Sequence, residues 1–447
     1  MIIIHVVNNL HKPLPRHLTA RIQRALREAP VVVLTGARQT GKSTLIRELL
    51  ETPPRDYRTL DDLDLLERAR SEPDALVAGT QPLTLDEIQR SPELLLAIKR
   101  TVDRDRRPGR FLLSGSANLA LLGRVSETLA GRAIYLTLHP FTLAERAGEG
   151  RTGPWNEILR DPSRLEGEYP AFKPAENVLL AGGFPPSALA ATPSARRAWL
   201  DGYVRTYLER DLQALSAIEN LVDFRRLMRI AALRTGSLMN QAEMARDAGL
   251  AQPTAHRYLN LLEASYLVHR LPVYAVNRAK RVIKAPRLFV CDSGLAADLA
   301  GIETGAELEK AGLAGALLET LVLCDLLSWR EGMTPRPEIL YWRLASGPEV
   351  DFVIETAGQV VPLEVKATGR PRLEDTRHLQ LFLEEHPKSA PHGVLLHGGT
   401  RAERLADRIW AVPLSVALGV APADSGAGLR LSEPVRRVRQ RSKRRRS

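Results

Sequence analysis

The feature that most constrains this chain is the segment 36–43, which reads Gly-Ala-Arg-Gln-Thr-Gly-Lys-Ser. It fits the pattern G-x-x-x-x-G-K-[ST] at every position, and it follows the apolar, β-branched run Val31–Thr35. Glycines at 36 and 41 allow the backbone to turn its amide N–H groups toward phosphate oxygens, and the helix expected from Ser43 to Leu50 adds its dipole. The chain is therefore predicted to contain a strand, a phosphate-binding loop and a helix in that order.

Two residues of this loop have predicted chemical roles. Lys42 is expected to reach the β and γ phosphates of ATP, and Ser43 is expected to ligate Mg²⁺. A chance glycine-rich turn is the alternative, but it does not account for a complete motif in the required strand-to-helix context. The predicted nucleotide-binding set comprises Gly36, Ala37, Arg38, Gln39, Thr40, Gly41, Lys42, Ser43, Thr44 and Ser116.

A second candidate strand, Leu83–Leu85, ends at two carboxylates. Asp86 is predicted to hold Mg²⁺ directly or through water, and Glu87 is predicted to polarise the attacking water. The competing interpretation is an ordinary acidic loop start. The phosphate loop upstream favours the catalytic interpretation.

A third candidate strand, Phe111–Ser114, ends in small polar residues. The Ser116 hydroxyl is predicted to contact the γ-phosphate or to position water, with a Ser-Gly turn as the alternative. Arg132 is a candidate for stabilising transition-state charge, in cis or in a neighbouring subunit, and a structural arginine is the equal alternative. With a further strand at Ile134–Leu138, the strands alternate with helical segments, as in α/β proteins with a parallel sheet.

Residues 236–270 form a compact helical pattern with helix-turn-helix spacing. Asn240–Ala248 and Gln252–Leu262 are the predicted helices, and Gly249 is placed for the turn between them. In the second helix Thr254, His256 and Arg257 are expected to face outward, whereas Tyr258, Leu261 and Leu262 are expected to pack inward.

A candidate wing follows these helices, with Val268–Tyr274 and Arg287–Cys291 as its strands. Basic side chains between the two strands are placed to contact phosphates. They are Arg278, Lys280, Arg281 and Lys284. DNA contact is therefore one hypothesis for this segment, and a packing or oligomer-interface module is the other.

The C-terminal block carries acids and a lysine on two predicted strands. Asp351 lies in the strand 349–354, and Glu364 and Lys366 share one side of the next strand because side chains alternate. Upstream, Glu319 interrupts the apolar helix Ala314–Leu327, so this carboxylate requires a cation, a metal or a strong donor nearby. An Asp, twelve residues and then Glu-x-Lys resembles the PD-(D/E)xK nuclease superfamily.

This resemblance implies phosphodiester chemistry. Asp351 and Glu364 are oxygen ligands suited to a second divalent ion, Mg²⁺ or Mn²⁺, and Glu319 is expected to support that metal. Lys366 is expected to orient or deprotonate the attacking water. The alternatives are a structural ion-pair network in a fold that has lost activity, or surface alternation on an edge strand.

Over roughly residues 16–412 the chain resembles a family of bacterial and archaeal AAA-type P-loop ATPases with a C-terminal domain of unknown function. The resemblance implies an α/β protein with a P-loop AAA-type core and parallel sheet, a helical and winged-helix middle region, and a C-terminal α/β restriction-endonuclease-like domain. The motifs that carry the resemblance are Thr35–Leu45, Leu85–Gln89, Ser114–Asn118, Leu129–Arg132, Gly182–Pro185, Tyr207–Leu212, Asp292–Leu295 and Glu364–Lys366.

The predicted organisation has five segments. They are an ATPase core (1–145), a helical lid or connector (146–232), a winged helix-turn-helix with connector (233–310), a nuclease-like domain (311–415) and a disordered basic tail (416–447). The net charge is +11, and Arg436–Arg446 holds eight Lys or Arg, which favours polyanions. A solvated tail without function is the alternative.

No apolar run approaches the roughly 20 residues that span a bilayer, and the apolar start Met1–Val7 is too short for a signal peptide. Cys291 and Cys324 match neither zinc spacing nor a disulfide framework, so a cytoplasmic protein without a membrane partner is expected.

The leading hypothesis is an ATPase coupled to nucleic acid, DNA in preference to RNA, with a homo-oligomer left open. A nucleotide-dependent binding switch with an inert C-terminal fold is the alternative. A signalling ATPase that acts on protein partners is the third hypothesis.

Overall fold

The computed structural model describes residues 13–50, 54–116, 129–172, 176–206, 218 and 220–420. Several segments on which predictions were made lie outside the described residues. They are Met1–Val7, Ala117-Asn118, Tyr207–Leu212 and the tail from residue 421 onward.

The N-terminal part is built on a five-stranded sheet. Its strands are β1 (Val31–Thr35), β2 (Asp56–Thr59), β3 (Leu83–Asp86), β4 (Phe111–Ser114) and β5 (Ala133–Thr137). All neighbours are parallel, and the order is β2-β3-β4-β1-β5. The predicted parallel α/β core is confirmed. The edge strand β2 was not predicted, because its sequence Asp-Tyr-Arg-Thr is polar and carries no apolar run.

Apolar side chains cover both faces of this sheet. Val31 and Val33 belong to one buried cluster, and Val32 and Leu34 belong to another, because successive strand residues point to opposite faces. The helices of this part are Leu18–Glu28, Lys42–Thr44, Leu63–Ser71, Pro73–Val77 and Glu93–Arg104, with a π-helical turn at Leu45–Leu49. The helix predicted from Ser43 to Leu50 is thus one short α-helical turn followed by a π turn.

Residues 221–290 form a smaller unit of four helices and three short strands, in which three of the helices precede the antiparallel hairpin of the last two strands. These three helices are Leu221–Leu233, Gln241–Asp247 and Gln252–Ala264, and the strands are β7 (Ser237–Leu238), β8 (Val268–Leu271) and β9 (Arg287–Val290). The sheet order is β7-β9-β8, and both pairings are antiparallel. A short helix, Arg278–Ile283, lies between β8 and β9.

The C-terminal part contains the long helix Ala314–Gly332 and a seven-stranded mixed sheet. Its strands are β6 (Gly167–Glu168), β10 (Glu338–Arg343), β11 (Glu349–Thr356), β12 (Gln359–Lys366), β13 (Gly393–His397), β14 (Arg401–Ala406) and β15 (Ile409–Pro413). The order is β10-β11-β12-β13-β15-β14-β6. The helices Arg377–Glu385 and Leu414–Ala417 complete this part.

Residues from the predicted connector 146–232 join this C-terminal sheet. β6 pairs with the edge strand β14, so residues 167–168 lie more than two hundred positions before their partner in sequence. Gly153 N and Trp155 Nε1 both donate to Asp325 Oδ1, at 2.9 and 2.6 Å. The segment 153–168 therefore packs on the C-terminal part rather than linking two others.

Two of the motifs that carry the family resemblance pack against each other. Asp292 accepts hydrogen bonds from Gly183 N and from Leu295 N, where it caps the helix Ser293–Leu299. A Cβ at Gly182 would lie 2.1 Å from Asp292 Oδ1, so only glycine fits there. The remaining helices are Leu143–Arg146, Trp155–Arg160, Glu176–Ala181, Pro185–Ala188, Pro193–Tyr203 and Gly305–Ala311.

Within the described ranges, no single helix is long and apolar enough to cross a membrane. The pair Gly305–Ala311 and Ala314–Gly332 reaches that length and composition only when taken together, and it is bent by 103°.

Candidate functional site

The phosphate loop leaves the carboxyl end of β1 and has the backbone that the motif predicts. Gly36 and Gly41 have φ of 143° and 92°, and Gln39 also has a positive φ of 66°. Thr40 is fully buried and donates to Ala37 O at 2.9 Å, which closes the loop on itself. Ser43 and Thr44 begin the following helix and are exposed at its start. Nine of the ten predicted nucleotide-binding residues therefore form one continuous segment, which comprises the loop and the start of the helix.

Lys42 is buried inside this loop. Its Nζ donates to Gly36 O at 3.0 Å and to Ala37 O at 2.9 Å. Burial lowers the pKa of Lys42 to about 8, while the nearby Glu87 and Asp86 carboxylates oppose that change. In these two contacts the partners of the Lys42 ammonium are neutral backbone carbonyls. A phosphate would be a stronger partner, because it carries a full negative charge.

Asp86 accepts hydrogen bonds from three side-chain hydroxyl groups. Ser43 Oγ and Tyr57 OH each lie 2.7 Å from Asp86 Oδ2, and Ser114 Oγ donates to Oδ1. The three donors come from the loop, from β2 and from β4, so the two strands that flank β3 both hold its terminal carboxylate. Ser43 and Asp86 are the oxygen ligands predicted for Mg²⁺, and the structure places their oxygens in direct contact.

Glu87 lies beside Asp86 in a left-handed backbone conformation, with φ of 57°. Gln89 Nε2 donates to Glu87 Oε2 and also to Ser116 Oγ at 3.0 Å. Burial raises the pKa of the Glu87 carboxyl, and the charge of Lys42 opposes that rise. Glu87 and Ser116 are thus brought together by one amide, next to the phosphate loop.

The structure places Arg132 away from this site. Val31 N donates to Arg132 O, so Arg132 lies at the amino edge of the sheet, where β1 begins. The phosphate loop is at the opposite edge, about 13 Å further along β1 at roughly 3.3 Å per residue. Arg132 pairs instead with Asp103 and donates to Ala130 O. Its predicted role in cis is therefore wrong, and a role toward a neighbouring subunit stays a prediction.

Four residues of the nucleotide site were not predicted: Arg16, Tyr57, Ser114 and Gln89. Ser114 is the last residue of β4 and Gln89 follows β3 by three residues, so their position at the carboxyl edge of the sheet was an available signal. Tyr57 lies on the unpredicted strand β2. Arg16 contacts Thr40, His139 and Glu145, which are 24 to 129 positions away, so no local pattern identifies it.

The four predicted C-terminal residues come together at a second, separate place. Asp351 Oδ2 accepts from Val365 N at 2.8 Å, which sets β11 beside β12, and Lys366 Nζ donates to Glu364 Oε1 at 2.8 Å. Burial, followed by the nearby Asp351 carboxylate, raises the pKa of both the Glu319 and the Glu364 carboxyl. The prediction that these acids converge is therefore met by the geometry.

An arginine from β9 lies among these acids. Arg287 Nη2 is 2.6 Å from Glu319 Oε2, and its Nη1 is 3.5 Å from Asp351 Oδ1 and 3.4 Å from Glu349 Oε1. Its Nε donates to Gly236 O at 2.7 Å, and its side chain is 6% exposed. This guanidinium is the cation that a buried Glu319 requires.

The acids do not fit a second divalent metal in this arrangement. In the part of the chain that the structure describes, no group of three or more His, Cys, Asp or Glu side chains is arranged to hold a metal ion. The Arg287 guanidinium lies between Glu319 and Asp351, and Lys366 pairs with Glu364, so two cations already occupy the space among these acids. No metal-dependent step is therefore derived for these residues.

The helix Gln252–Ala264 presents a polar outer face. His256, Arg257 and Asn260 are exposed, Thr254 is half-buried, and Tyr258 is buried, as the helical pattern predicts. Arg270 Nη2 donates to Asn260 Oδ1 at 2.6 Å. The basic residues after β8 are divided: Lys280 and Lys284 are exposed.

Arg281, by contrast, is not available to phosphates. It is buried and pairs with Glu338 and Glu355 of the C-terminal sheet. The phosphate contact expected for Arg281 is therefore wrong, because its guanidinium joins the segment to β10 and β11.

Three parts of the chain match family models. Residues 28–147 match an AAA domain, residues 173–306 match a domain of unknown function (DUF8612), and residues 314–417 match a further domain of unknown function (DUF4143). The AAA match covers the phosphate loop, Asp86 and Glu87. The nucleotide site described above thus lies in an AAA-type P-loop ATPase domain.

The full chain also has close relatives. It is 33% identical over 411 residues to uncharacterized proteins of Mycobacterium tuberculosis and Mycobacterium bovis, and the match covers 92% of this chain and 86% of each relative. Among solved structures it is similar to a Walker-type ATPase of Pyrococcus abyssi, with 16% identity and a TM-score of 0.42, covering 65% of this chain and 99% of that one. The chain therefore belongs to the family of these mycobacterial proteins and carries an AAA-type P-loop ATPase domain in its N-terminal part.

Proposed function

We propose that this protein is an ATP-hydrolysing switch of the cytoplasm, in which the nucleotide state controls the binding of nucleic acid by the middle and C-terminal parts. The observation that carries the ATPase assignment is the direct contact between Ser43 and Asp86 within a complete phosphate loop. The observation that favours a switch over a nuclease is the Arg287 guanidinium among the C-terminal acids.

The nucleotide site has the groups that ATP hydrolysis requires. Mg²⁺ would arrive with ATP, would be held by Ser43 and Asp86, and would neutralise charge on the phosphates. Lys42 would exchange its two carbonyl partners for phosphate oxygens. Glu87, once it no longer bonds Gln89, would accept the proton of the attacking water. Ser116 accepts a hydrogen bond from the same Gln89 amide, and its hydroxyl would contact the γ-phosphate.

Hydrogen bonds connect the edge of this site to the middle unit and to the C-terminal part. Tyr266 OH, just after the helix Gln252–Ala264, donates to Thr35 Oγ1 at 2.7 Å, next to the start of the phosphate loop. Thr137 N, at the end of β5, donates to Glu331 Oε2 at 3.1 Å. Glu331 lies in the helix Ala314–Gly332, whose other end carries Glu319. These contacts support coupling between the nucleotide and both downstream parts.

A nucleic-acid partner is supported by shape and charge. We interpret the unit 221–290 as a winged helix, because its helices and antiparallel strands have the required order and the helix Gln252–Ala264 has an exposed polar face. The charge comes from the exposed Lys280 and Lys284 between β8 and β9, because Arg281 and Arg287 are buried in ion pairs. DNA is preferred to RNA because a helix fits the major groove of B-DNA, whereas the deep, narrow major groove of A-form RNA excludes side chains.

A metal-dependent nuclease is the second candidate function. It is favoured by one observation: Glu364 Oε2 is buried and has no hydrogen-bond partner among the described residues. Asp351, Glu364 and Lys366 lie on two adjacent strands, as that chemistry requires. A nuclease would need Arg287 to leave the acids, so this function requires a rearrangement that the switch does not.

The test combines cleavage and binding with the purified full chain. Single- and double-stranded DNA and RNA are incubated with Mg²⁺ or Mn²⁺, with and without ATP, and binding is measured by fluorescence anisotropy at low salt. We expect no cleavage, duplex DNA binding, and a dependence of the DNA affinity on ATP. Cleavage that is lost in Asp351→Ala would establish the nuclease instead, and no binding to any nucleic acid would favour a protein partner.

Lys42→Ala tests the ATP site directly. We expect ATP turnover to fall at least about a hundredfold, because the ammonium is the main side-chain charge for the transferred phosphoryl group. Phosphate release measured on the folded variant checks this, with thermal unfolding to show an intact fold. Normal turnover at equal purity would overturn the assignment of residues 36–43.

A further inference from the structure

Arg16 lies beneath the phosphate loop and is buried with it. Its side chain is only 4% exposed. Nη1 donates to Thr40 O at 2.7 Å, and Nη2 donates to His139 O at 2.6 Å. Nε lies 3.2 Å from Glu145 Oε1, and the guanidinium lies 4.6 Å from the centre of the Phe141 ring. One side chain thus ties the loop to the segment that follows β5.

The contact with Thr40 O determines the direction of the next amide. A trans peptide is planar, and its C=O and N–H point in opposite directions. Because Arg16 draws the Thr40 carbonyl to the underside of the loop, the Gly41 N–H points to the other side, into the loop. Amides in this position of a phosphate loop are the groups that bind phosphate oxygens.

Gly41 itself adds little restraint on this peptide. Gly41 has φ of 92° and no Cβ, so rotation of the Thr40–Gly41 peptide plane meets little steric resistance from Gly41 itself. A Cβ at Gly41 would lie 3.5 Å from Arg16 Nη1, which places the guanidinium directly beside this residue. The hydrogen bond from Arg16 to Thr40 O can therefore fix the orientation of this peptide.

We propose that Arg16 is a positioning residue of the nucleotide site, which fixes the Gly41 amide toward the diphosphate part of ATP and ADP. The inference rests on the proposed ATP site. The Arg16 guanidinium also lies close to the proposed phosphate-binding position. Because it is charged, its hydrogen bond to Thr40 O is expected to be about twice as strong as a neutral one.

The surroundings of Arg16 separate this role from a purely structural one. Glu145 has further partners, since Oε1 accepts from His17 N at 2.7 Å and Oε2 accepts from Thr142 N at 3.1 Å in a helix-capping box. Tyr203 OH offers a matched comparison, because it donates to another loop carbonyl, Arg38 O, at 3.2 Å. Tyr203 is neutral and does not orient the Gly41 amide.

The experiment measures the affinity and stoichiometry of MgADP and of a non-hydrolysable ATP analogue by calorimetry with the full chain. Wild type is compared with Arg16→Gln, Arg16→Lys, Tyr203→Phe and Arg24→Ala, an exposed arginine of the helix Leu18–Glu28 that follows Arg16. For Arg16→Gln we expect both nucleotides to bind about tenfold or more weakly, at a stoichiometry near that of wild type. Arg16→Lys is expected to restore part of the affinity, because one ammonium cannot serve both carbonyls in the same geometry.

The loss of nucleotide affinity in Arg16→Gln is compared with the loss in Tyr203→Phe. A larger loss of affinity in Arg16→Gln than in Tyr203→Phe, alike for both nucleotides, supports the proposal. An equal or smaller loss overturns it, and so does a reduced binding-competent fraction with unchanged affinity, which is the signature of a structural role. If Arg16→Gln does not fold, Arg16→Lys decides by the same comparison. Failure of wild type to bind either nucleotide would instead overturn the ATP site itself.

Discussion

Asp86 is the residue around which the nucleotide site is organised. Hydroxyl groups of Ser43, Tyr57 and Ser114 all donate to its two carboxylate oxygens, and its 3% exposure keeps those bonds away from water. Each donor comes from a different element, so the position of the carboxylate depends on the whole sheet edge. A metal that arrived with ATP would be held by Ser43 and Asp86 together.

Glu87→Gln is expected to separate ATP binding from hydrolysis. A glutamine keeps the shape of the side chain but cannot accept the proton of the attacking water, and loss of a general base typically costs about 10²- to 10⁴-fold in rate. We expect kcat to fall at least about a hundredfold while ATP affinity changes little. Phosphate release and calorimetry check this against Asp61→Asn, an exposed acid that pairs with Arg90. Unchanged turnover would show that another group activates water.

At this scale the sequence patterns were informative where a motif is local. The loop 36–43 and the pair Asp86-Glu87 were predicted because strand, loop and helix follow one another in the chain. Tyr57 and Arg16 were not predicted, because each reaches the site from a distant element through a side chain that no spacing marks. Arg132 was misplaced although it directly precedes β5, which in a parallel sheet puts it at the amino edge, opposite the phosphate loop.

The helix Ala314–Gly332 is the element that touches both sites. Glu319 contacts Arg287 near its start, and Glu331 accepts from Thr137 near its end. These two residues are twelve positions apart, or about 18 Å along a helix at 1.5 Å per residue. Between them, Asp325 is buried, and its Oδ1 accepts from Gly153 and Trp155.

Asp325 is expected to make the stability of this element depend on pH. Burial raises the pKa of its carboxyl to about 7 in the folded chain, above the unfolded value near 3.9. The folded state therefore holds the proton over a range where the unfolded state has lost it, so the free energy of unfolding falls as pH rises from about 4 to about 7. Above pH 7 this contribution levels off.

Asp325→Asn should remove that pH dependence while it keeps the Oδ1 acceptor. The free energy of unfolding changes by about 1.4 kcal/mol for each pH unit over which only the folded chain holds the proton. The difference in free energy of unfolding between the variant and wild type is therefore expected to rise by on the order of 2–4 kcal/mol, in favour of the variant, between about pH 4 and about pH 7.5. Denaturant unfolding across this range measures the difference. Asp407→Asn, at a position with an 82% exposed side chain, is the control. Parallel pH profiles for Asp325→Asn and wild type would contradict the expectation.

Predictions for elements succeeded where periodicity was strong. The helix expected at Ala314–Leu327 is present and extends to Gly332, and the two helices expected within 240–262 are present with boundaries shifted by one or two residues. That Glu319 requires a cation, a metal or a strong donor nearby followed from its place in an apolar helix. The identity of Arg287 did not follow, because the two residues are 32 positions apart and meet through tertiary packing.

For the whole molecule, the Tyr266–Thr35 hydrogen bond is the contact by which we expect the nucleotide to influence the middle unit. Tyr266→Phe removes the hydroxyl that joins them and leaves the ring in place. We expect the ATP-dependent difference in DNA affinity to shrink about threefold or more, since changes at coupling contacts typically alter the coupling by about 0.5–2 kcal/mol. Anisotropy titrations with and without the ATP analogue measure it.

Tyr169→Phe is the matched control for this prediction, because its hydroxyl donates to Leu165 O at 2.9 Å, away from the nucleotide site. An undiminished ATP effect on DNA affinity in Tyr266→Phe would show that the coupling takes another route, such as Glu331.

The pairing of β6 with β14 has a consequence for how this gene can be divided. A fragment that begins at residue 311 would lose residues 167–168 and the donors Gly153 and Trp155, so one sheet edge would be uncovered and the Asp325 carboxylate would lose both partners. Exposed edges pair readily with other chains. A C-terminal fragment is therefore expected to stay unassociated only when it carries residues 153–168 with it, although they lie far upstream in the chain.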